Sequence, residues 1–295
     1  MIGMHALRAL QRGIRPARPL QRSFHGTQWA MQQQQDSSNQ RPAGTIRLAK
    51  LMAQKGLCSR REAESYIQSG AVYVNGVKVE GDWMFVPEDS DVTLSHPAQR
   101  HKQKKVTIVL NKPLGYVSAQ PEGNLTPAIK LLTFDNECTE LSRVRSRQNQ
   151  EPVSLWKMAV CGRLDVNSTG VLLFTQDGTI AKKILDPNGG VEKEYLVRLN
   201  VNLNDKSPVI NEKIEQLRRG VTTDDGVTYR AKSVEIINEN QLRVILTEGK
   251  KRHIRHMCDY VGFRVMALKR VRIGGIKLGK LPPGQWRYLQ PTDRL

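Results

Sequence analysis

Long hydrophobic runs, paired cysteines and acidic residues near the start are all missing from this chain. No apolar stretch approaches the roughly 18 residues needed to cross a bilayer, which argues against a membrane protein. The four cysteines form no C-x-x-C pair and match no zinc-ribbon spacing, so we expect reduced thiols in a non-secretory compartment. With 39% hydrophobic residues among 295, the chain can still bury one large core or two smaller ones.

An excess of positive charge is the first feature that points to a partner. The chain has 46 Lys and Arg against 28 Asp and Glu, which gives a formal net charge of +18 at pH 7. Such an excess favours a polyanionic partner, and nucleic acid is the usual one. A basic protein whose charges are merely solvated is the alternative.

Residues 1–35 differ in composition from the rest, because they contain five arginines and no acid. The arginines recur every three or four positions, so a helix would gather them on one side. This composition is typical of a mitochondrial transit peptide, and we expect import into the matrix. A disordered basic arm that touches RNA is the alternative. A polar linker is expected over 36–44, and without the five arginines the net charge is still +13, so the folded part is basic as well.

Residues 45–95 predict a small helical module with a hairpin. The apolar spacing i, i+3, i+4 from Leu48 predicts one helix. The pattern Ser59-Arg60-Arg61-Glu62 predicts a capping box at the start of a second helix. Asn75-Gly76 between two β-branched runs is the strongest short signal for a hairpin, and it would place four valines on one face.

This module resembles the ribosomal S-four-like RNA-binding domain, in R-L-A-K-L-M-A-Q-K-G-L-C-S-R-R-E-A at 47–63 and V-Y-V-N-G-V-K-V at 72–79. The resemblance implies a helix pair that docks on an RNA backbone. A purely structural role for the basic residues near the helix starts is the alternative. A basic, polar linker is expected over 96–105. The candidate RNA-binding residues are Arg47, Lys50, Arg60 and Arg61.

Residues 106–291 predict a second, strand-rich domain with a polar surface insertion at 135–157 that lacks periodicity. The Asp-Gly pairs at 177–178 and 225–226 indicate turns. Strands are expected at 106–110, 116–118, 171–175, 195–199, 234–237 and 242–246, and helices at 211–219 and 254–261.

The most informative stretch is G-R-L-D-V-N-S-T-G-V-L-L-F-T-Q-D-G at 162–178, which places Asp165 in a glycine-bounded loop before an apolar strand. An Asp in such a loop is usually a turn former or a helix cap, so spacing alone does not indicate catalysis. The stretch resembles the G-R-L-D-x-x-[ST]-x-G-L-L-x-x-T-x-D-G signature of the RsuA/RluB-type pseudouridine synthases.

Further motifs of that family follow in the same order, so that the resemblance covers about residues 45–290. They are N-K-P at 111–113 with G-Y at 115–116, E-K-E-Y-L-V at 192–197, G-V to D-G at 220–226, E-G-K-K-R-H-I-R-H-M at 248–257, R-V-R-I-G at 270–274 and L-P-P-G-Q-W-R at 281–287. The resemblance implies an α+β protein, in which the small helical and hairpin RNA-binding domain precedes a mixed, mainly antiparallel sheet catalytic domain of pseudouridine synthase type.

Three positions depart from the family pattern and bear on the choice of substrate rather than on the chemistry. Asn167 stands where an acid is common, His253 where Gln is usual and His256 where Arg is usual. The two histidines form half of a metal site, but no further ligand follows at a useful spacing and we expect no metal.

The resemblance assigns the catalytic roles to Asp165 as nucleophile, Arg255 as the cation that keeps it ionised, and Tyr195 as the aromatic residue against the base. Converting uridine to pseudouridine exchanges no electrons and no atoms, so we expect no cofactor. Without the motifs, Tyr195 would be an ordinary strand aromatic and Arg255 one more RNA contact. The substrate-binding candidates are Arg163, which would enter the space left by an extruded base or contact a phosphate, Lys112, Lys193 and Arg252.

We therefore expect a monomeric enzyme that isomerises a specific uridine in structured RNA, by hypothesis mitochondrial ribosomal RNA. A non-catalytic RNA-binding or ribosome-assembly factor is the main alternative, because charge and the small module would look the same. A nuclease would need clustered carboxylates for metal, which the sequence lacks.

Overall fold

The structure, a computed structural model, describes residues 42–80, 85–120, 123–146, 155, 157–186, 188–205 and 207–295. The expected transit peptide at 1–35 lies outside the described residues, as does most of the linker at 36–44. Within the described part, a small N-terminal module precedes a larger domain that is built on one long sheet.

The small module contains the two predicted helices, and the capping box is confirmed. The hydroxyl of Ser59 accepts from the Glu62 backbone N–H, and the Glu62 carboxylate accepts from the Ser59 N–H at 2.9 Å. A pair of strands and a three-stranded sheet of order β3-β2-β5 cover the helices. The elements are β1 (Thr45–Arg47), α1 (Leu48–Gln54), α2 (Arg60–Gln68), β2 (Val72–Val74), β3 (Val77–Lys78), β4 (Phe85–Pro87) and β5 (Val92–Leu94).

The Asn-Gly hairpin is confirmed as well. Asn75 and Gly76 have φ values of 50° and 79°, which a two-residue turn of this kind requires. Val72 and Val79 are buried, whereas Val77 is 48% exposed. The valine face is therefore buried at the base of the hairpin and exposed at its tip.

Most of the segment over 96–105, which was expected to be a linker, forms helix α3 (His96–Gln103). Pro97 occupies the first turn, where its missing N–H does no harm. Ala98 is 6% exposed and belongs to the core of the small module. Ala98 therefore joins an otherwise polar helix to the core of the small module.

The larger domain has a nine-stranded sheet of order β14-β15-β11-β16-β10-β6-β18, with β17 beside β16 and β9 beside β10. All pairs are antiparallel except β10 with β16. The mixed, mainly antiparallel sheet that was expected is confirmed. Its strands are β6 (Thr107–Lys112), β9 (Ala159–Cys161), β10 (Thr169–Thr175), β11 (Lys193–Leu199), β14 (Ser233–Asn238), β15 (Gln241–Leu246), β16 (Val265–Ile273), β17 (Ile276–Lys277) and β18 (Trp286–Tyr288).

Short strands and four helices of the described residues complete this domain. They are β7 (Tyr116–Val117), β8 (Thr126–Pro127), α4 (Thr139–Ser146), α5 (Gly178–Leu185), α6 (Pro208–Arg219), β12 (Val221–Thr222), β13 (Thr228–Tyr229) and α7 (His253–Tyr260). Apolar side chains pack on both faces of the sheet, with Leu172 and Phe174 on one face and Val171 and Leu173 on the other. No helix in the described ranges is both long enough and apolar enough to cross a membrane.

Two local predictions in this domain had opposite outcomes. The turn at 225–226 is confirmed, because the Gly226 N–H donates to the Thr223 carbonyl at 2.8 Å with φ at 79°. The turn at 177–178 was wrong, because Asp177 is the N-cap of α5 and its carboxylate accepts from the Thr179 N–H at 2.9 Å. Asp is common in both settings, since its short side chain accepts from nearby backbone N–H groups either way.

The first part of the predicted surface insertion at 135–157 contains helix α4 and lies against the sheet. Helix α4 packs beside β18, where the Cys138 N–H donates to the Trp286 carbonyl at 2.8 Å. The Trp286 indole N–H donates to the Thr133 carbonyl at 2.7 Å. The segment therefore covers one edge of the sheet, and residues 147–154 and 156 lie outside the described residues.

The small module rests on the larger domain where the N-termini of α2 and α5 meet. A methyl group on Gly178 would lie 2.2 Å from the Cβ of Ser59, so only glycine permits this approach. The Lys105 ammonium pairs with the Glu62 carboxylate, which links the residue just before the second domain to the capping box. Glu62 thus takes part both in the capping box with Ser59 and in the ion pair with Lys105.

We predict that Glu62→Gln removes part of the pH dependence of stability. Burial raises the pKa of Glu62, but hydrogen bonds from Lys105 and Ser59 outweigh it and the net pKa lies below the ordinary 4.5. A carboxylate with a lowered pKa stabilises the fold above its unfolded value, and this contribution is lost as the pH falls through the folded value. Urea unfolding of the full chain should show a wild-type advantage at neutral pH that shrinks below pH 4.5.

Glu64→Gln is the matched control, because Glu64 is exposed on the same helix. Its free energy of unfolding should follow the wild type at every pH. A Glu62→Gln deficit that stays constant with pH would contradict the assignment.

Candidate active site

The loop between β9 and β10 carries Asp165 at the wall of a cleft of about 690 Å³. The Asp165 side chain is 34% exposed, so it is reachable from solvent. Residues from the β11, β15 and β16 strands and from the start of α7 complete the lining. The structure thus brings the loop, the K-E-Y strand and the H-I-R helix to one place although they are far apart in sequence.

The loop backbone is held by buried side chains that donate to its carbonyl oxygens. Ser118 donates to the Leu164 carbonyl at 2.6 Å and accepts from the Leu164 N–H at 2.8 Å. The Lys112 ammonium lies 3.5 Å from the Val166 carbonyl. These contacts flank Asp165 on both sides and limit how far its backbone can shift.

Arg255 lies in α7 with 9% exposure, and its Nε is 3.9 Å from the Asp165 carboxylate. Its Nη2 donates to the Asn167 carbonyl at 2.7 Å. The predicted pair is therefore within ionic range, but the guanidinium does not bind both carboxylate oxygens, because it is turned to the loop backbone. Burial and the neighbouring Arg252 lower the pKa of Arg255, and Asp165 opposes this change.

Tyr195 lies on β11 directly opposite Arg270 of β16 and is 9% exposed. The Arg270 guanidinium carbon is 5.9 Å from the centre of the Tyr195 ring, and Nη1 is 3.4 Å from the Tyr195 hydroxyl. The ring lines the cleft together with Asp165. The three predicted catalytic residues, Asp165, Tyr195 and Arg255, are thus brought together.

The two predicted substrate-binding lysines differ in position. Lys112 is fully buried, donates to the Pro113 and Tyr116 carbonyls at 2.8 and 2.9 Å, and is not part of the cleft lining. Burial lowers the pKa of Lys112 to about 8, with Asp165 acting in the opposite direction. Lys193 does line the cleft, and burial followed by the charge of Arg270 lowers the pKa of Lys193. Lys112 is therefore placed as a support of the loop.

Arg163 and Arg252 are exposed and line the cleft, as a substrate-binding role requires. Arg252 has φ at 52°, a left-handed conformation that is uncommon for a residue with a side chain. It immediately precedes α7 and turns the chain into that helix.

The two histidines of α7 enclose Tyr229 of β13. The His253 ring meets it edge-on at 5.2 Å, and the His256 ring stacks on it at 5.3 Å. Burial lowers the pKa of His253, with Glu248 opposing this. Within the described ranges no group of three potential ligands surrounds a metal position.

The predicted RNA-binding arginines and lysine of the small module are exposed and lie outside the cleft lining. The Arg47 guanidinium also stacks on the Phe85 ring at 5.7 Å. These positions are Arg47, Lys50, Arg60 and Arg61.

Sequence reasoning assigned no role to Ser118 or Arg270. No pattern separates a buried serine that grips a loop from an ordinary loop serine. Arg270 carried no clear signal either, because Lys269 and Arg272 beside it give the strand a mixed composition in which no one arginine stands out.

Comparison with known proteins gives the family. Residues 106–260 match the RNA pseudouridylate synthase family, and residues 46–89 match the S4 domain. This chain belongs to the RNA pseudouridylate synthase family. It is 37% identical over 253 residues to ribosomal large subunit pseudouridine synthase B of Yersinia pestis, covering 82% of this chain and 72% of that protein.

It is also 32% identical over 253 residues to the dual-specificity RNA pseudouridine synthase RluF of Escherichia coli K12, covering 85% of this chain and 78% of that protein. The expected RsuA/RluB-type family, with its N-terminal RNA-binding domain, is confirmed. A solved pseudouridylate synthase shares the fold, with a TM-score of 0.52 and 22% identity over 83% of this chain and 96% of that one. The chain is thus an RNA pseudouridine synthase.

We predict that Ser118→Ala destabilises this pseudouridine synthase by about 1–3 kcal/mol, because it leaves a buried N–H and a buried carbonyl of Leu164 unpaired. Ser90 gives a matched control, since its Oγ is also buried but makes no hydrogen bond within the described part of the chain. Ser90→Ala should change the free energy of unfolding in urea only slightly. An equal loss of unfolding free energy in the two variants would contradict the conclusion that Ser118 holds the loop backbone.

Proposed function

We propose that this enzyme isomerises a specific uridine of ribosomal RNA with Asp165 as its nucleophile. The observation that carries the proposal is a reachable carboxylate that shares one cleft with Tyr195 and lies within ionic range of Arg255. An ionised carboxylate can attack carbon, whereas a protonated one cannot. The Arg255 guanidinium places the opposite charge 3.9 Å from that carboxylate.

The reaction rearranges bonds within one nucleotide. The bond from N1 of uracil to C1′ of ribose breaks, C5 bonds to C1′, the proton of C5 departs and N1 gains one. Asp165 forms a temporary bond either to C1′ or to C6 of the ring and is released at the end. No oxidant, reductant or second substrate is required to balance these steps.

Tyr195 and Arg163 have supporting roles in this proposal. The Tyr195 ring offers a flat surface for the uracil, and its hydroxyl can receive or pass on the proton that leaves C5. The base must first leave its stack, as enzymes that act on bases generally require. Arg163 is exposed beside Asp165 and is the candidate to fill the vacated space.

The choice of ribosomal RNA rests on two supports. One relative is named for the ribosomal large subunit, and the chain carries an S4 domain with exposed basic residues at its helix starts. Basic side chains of this kind contact phosphates without reading sequence. The small module would hold a structured RNA while the cleft receives one nucleotide.

We predict that Asp165→Asn abolishes pseudouridine formation, with a rate loss of at least about 1000-fold, while RNA binding is retained, because the amide is a poor nucleophile of nearly the same shape. The measurement is single-turnover conversion of a ribosomal RNA fragment that the wild type modifies, together with its dissociation constant. Asp224→Asn is the control, since Asp224 is exposed in a turn away from the cleft. Full conversion by Asp165→Asn would rule out the nucleophile.

We further propose that residues 1–35 direct the enzyme to mitochondria, where it acts as a monomer on the organellar ribosomal RNA. The support is the arginine-rich, acid-free composition of that segment. Pseudouridine mapping of organellar and cytosolic RNA, with and without the protein, should show a site that is lost only in the organelle. A chain that starts after residue 35 should fail to restore that pseudouridine. An organellar map that does not change without the protein would end this proposal.

A further inference from the structure

Arg270 is a buried arginine that has no acidic partner among the residues that the structure describes. It is 2% exposed, and no carboxylate of the described residues lies within ionic range of its guanidinium. Arg287 is also buried but forms a double contact with Asp293 at 2.6 and 3.2 Å. Because burying a charge is expensive unless it is paired, the position of Arg270 needs another explanation.

The guanidinium of Arg270 spans the loop that carries Asp165. Its Nη2 donates to the Gly162 carbonyl at 2.8 Å, and its Nη1 lies 3.3 Å from the Arg163 carbonyl, both just before Asp165. Its Nε donates to the Val171 carbonyl at 2.8 Å, beyond the loop. The planar fork of one side chain therefore fixes both ends of the loop relative to each other.

The same guanidinium contacts Tyr195. A guanidinium has no acceptor, so the Tyr195 oxygen accepts from Nη1 and the phenol hydrogen stays available to another partner. The pairing of β11 with β16 shifts register between Glu194 and Tyr195, and such bulges re-aim side chains. Arg270 thus joins the ring of Tyr195 to the loop of Asp165.

The backbone of Arg270 is held as firmly as its side chain. It pairs with Gly170 in the parallel ladder, where a Cβ on Gly170 would lie 2.1 Å from the Arg270 carbonyl oxygen. This close approach fixes the distance of the Arg270 backbone from strand β10 and hence from the loop that precedes it. The sheet, and not the loop, therefore fixes the backbone position from which the Arg270 guanidinium reaches the loop.

We propose that Arg270 is a positioning residue for uridine isomerisation, which sets the distance between the carboxylate of Asp165 and the ring of Tyr195. The proposal rests on the proposed function, since it assigns a geometric task within that reaction. Arg270 acts through these two residues and through the cation–π contact with the ring.

The test is Arg270→Lys, which keeps the charge but removes the fork. The single-turnover rate constant on a ribosomal RNA fragment that the wild type modifies should fall about 100-fold, since misplacing reacting groups by about 1 Å has that effect. The dissociation constant for the RNA should not change, because Arg270 is 2% exposed and its guanidinium donates to protein carbonyls. Assays are run at a temperature at which circular dichroism shows every variant folded.

Two matched substitutions separate positioning from general stability. Arg287→Lys changes another buried arginine, and Arg272→Lys changes the next arginine of the same strand, which pairs with Glu192 and Glu194. Both should keep the wild-type rate constant even where the melting temperature falls. A loss of rate in Arg287→Lys as large as that in Arg270→Lys would assign the effect to the fold and overturn the proposal.

A double-mutant cycle with Tyr195→Phe adds a second readout. If Arg270 acts partly through the tyrosine hydroxyl, the combined loss of rate should be smaller than the product of the two single losses. A combined loss of rate equal to the product of the two single losses would overturn the link between Arg270 and Tyr195. If Arg270→Lys does not fold, Gly162→Ala perturbs the loop at the carbonyl that Arg270 binds, since Gly162 has φ at 76°, which a residue with a side chain rarely adopts. A wild-type rate in that variant would also count against the proposal.

The outcome is separable from that of the proposed function. A wild type that modifies no uridine, or an active Asp165→Asn, removes the nucleophile assignment. An active wild type with an inactive Asp165→Asn and an unimpaired Arg270→Lys removes only the positioning role.

Discussion

The interaction on which the site depends is donation from buried cationic side chains to backbone carbonyls of one loop. Lys112, Arg255 and Arg270 all make such contacts around Asp165. A buried cation loses its water, so carbonyl oxygens that replace the water are required to keep it in place. The loop and the cations therefore stabilise each other, and the single carboxylate at the loop is held in a surplus of positive charge.

The sheet makes this arrangement possible. Strand β10 continues the loop, β16 runs parallel beside it, and β11 brings Tyr195 from the other side of β16. Gly170 allows β16 to approach β10 closely enough for the Arg270 side chain to reach back to Gly162. The small module docks at α5, whose other end borders the cleft, so one short helix connects the module to the site.

Local patterns predicted much of the secondary structure, and the failures share a cause. The capping box at Ser59 and the hairpin at Asn75-Gly76 depend on neighbouring residues, and both are confirmed. The helix at 96–103, the first part of the segment at 135–157 and the long strand β16 depend on contacts with distant parts of the chain. Polar or mixed composition concealed them, because the contacts that hold the first two, with the core through Ala98 and with Trp286, come from residues distant in sequence.

The sequence by itself determined the family, the order of the domains and the residue types of the site, because ordered motifs around Asp165, Tyr195 and Arg255 depend on spacing along the chain. Only the tertiary structure decided how those residues meet. It turned Arg255 toward a loop carbonyl, withdrew Lys112 from the cleft and revealed Arg270 beneath the loop. The reason is physical: the direction and burial of a side chain depend on which strands become neighbours, and spacing along one strand does not contain that information.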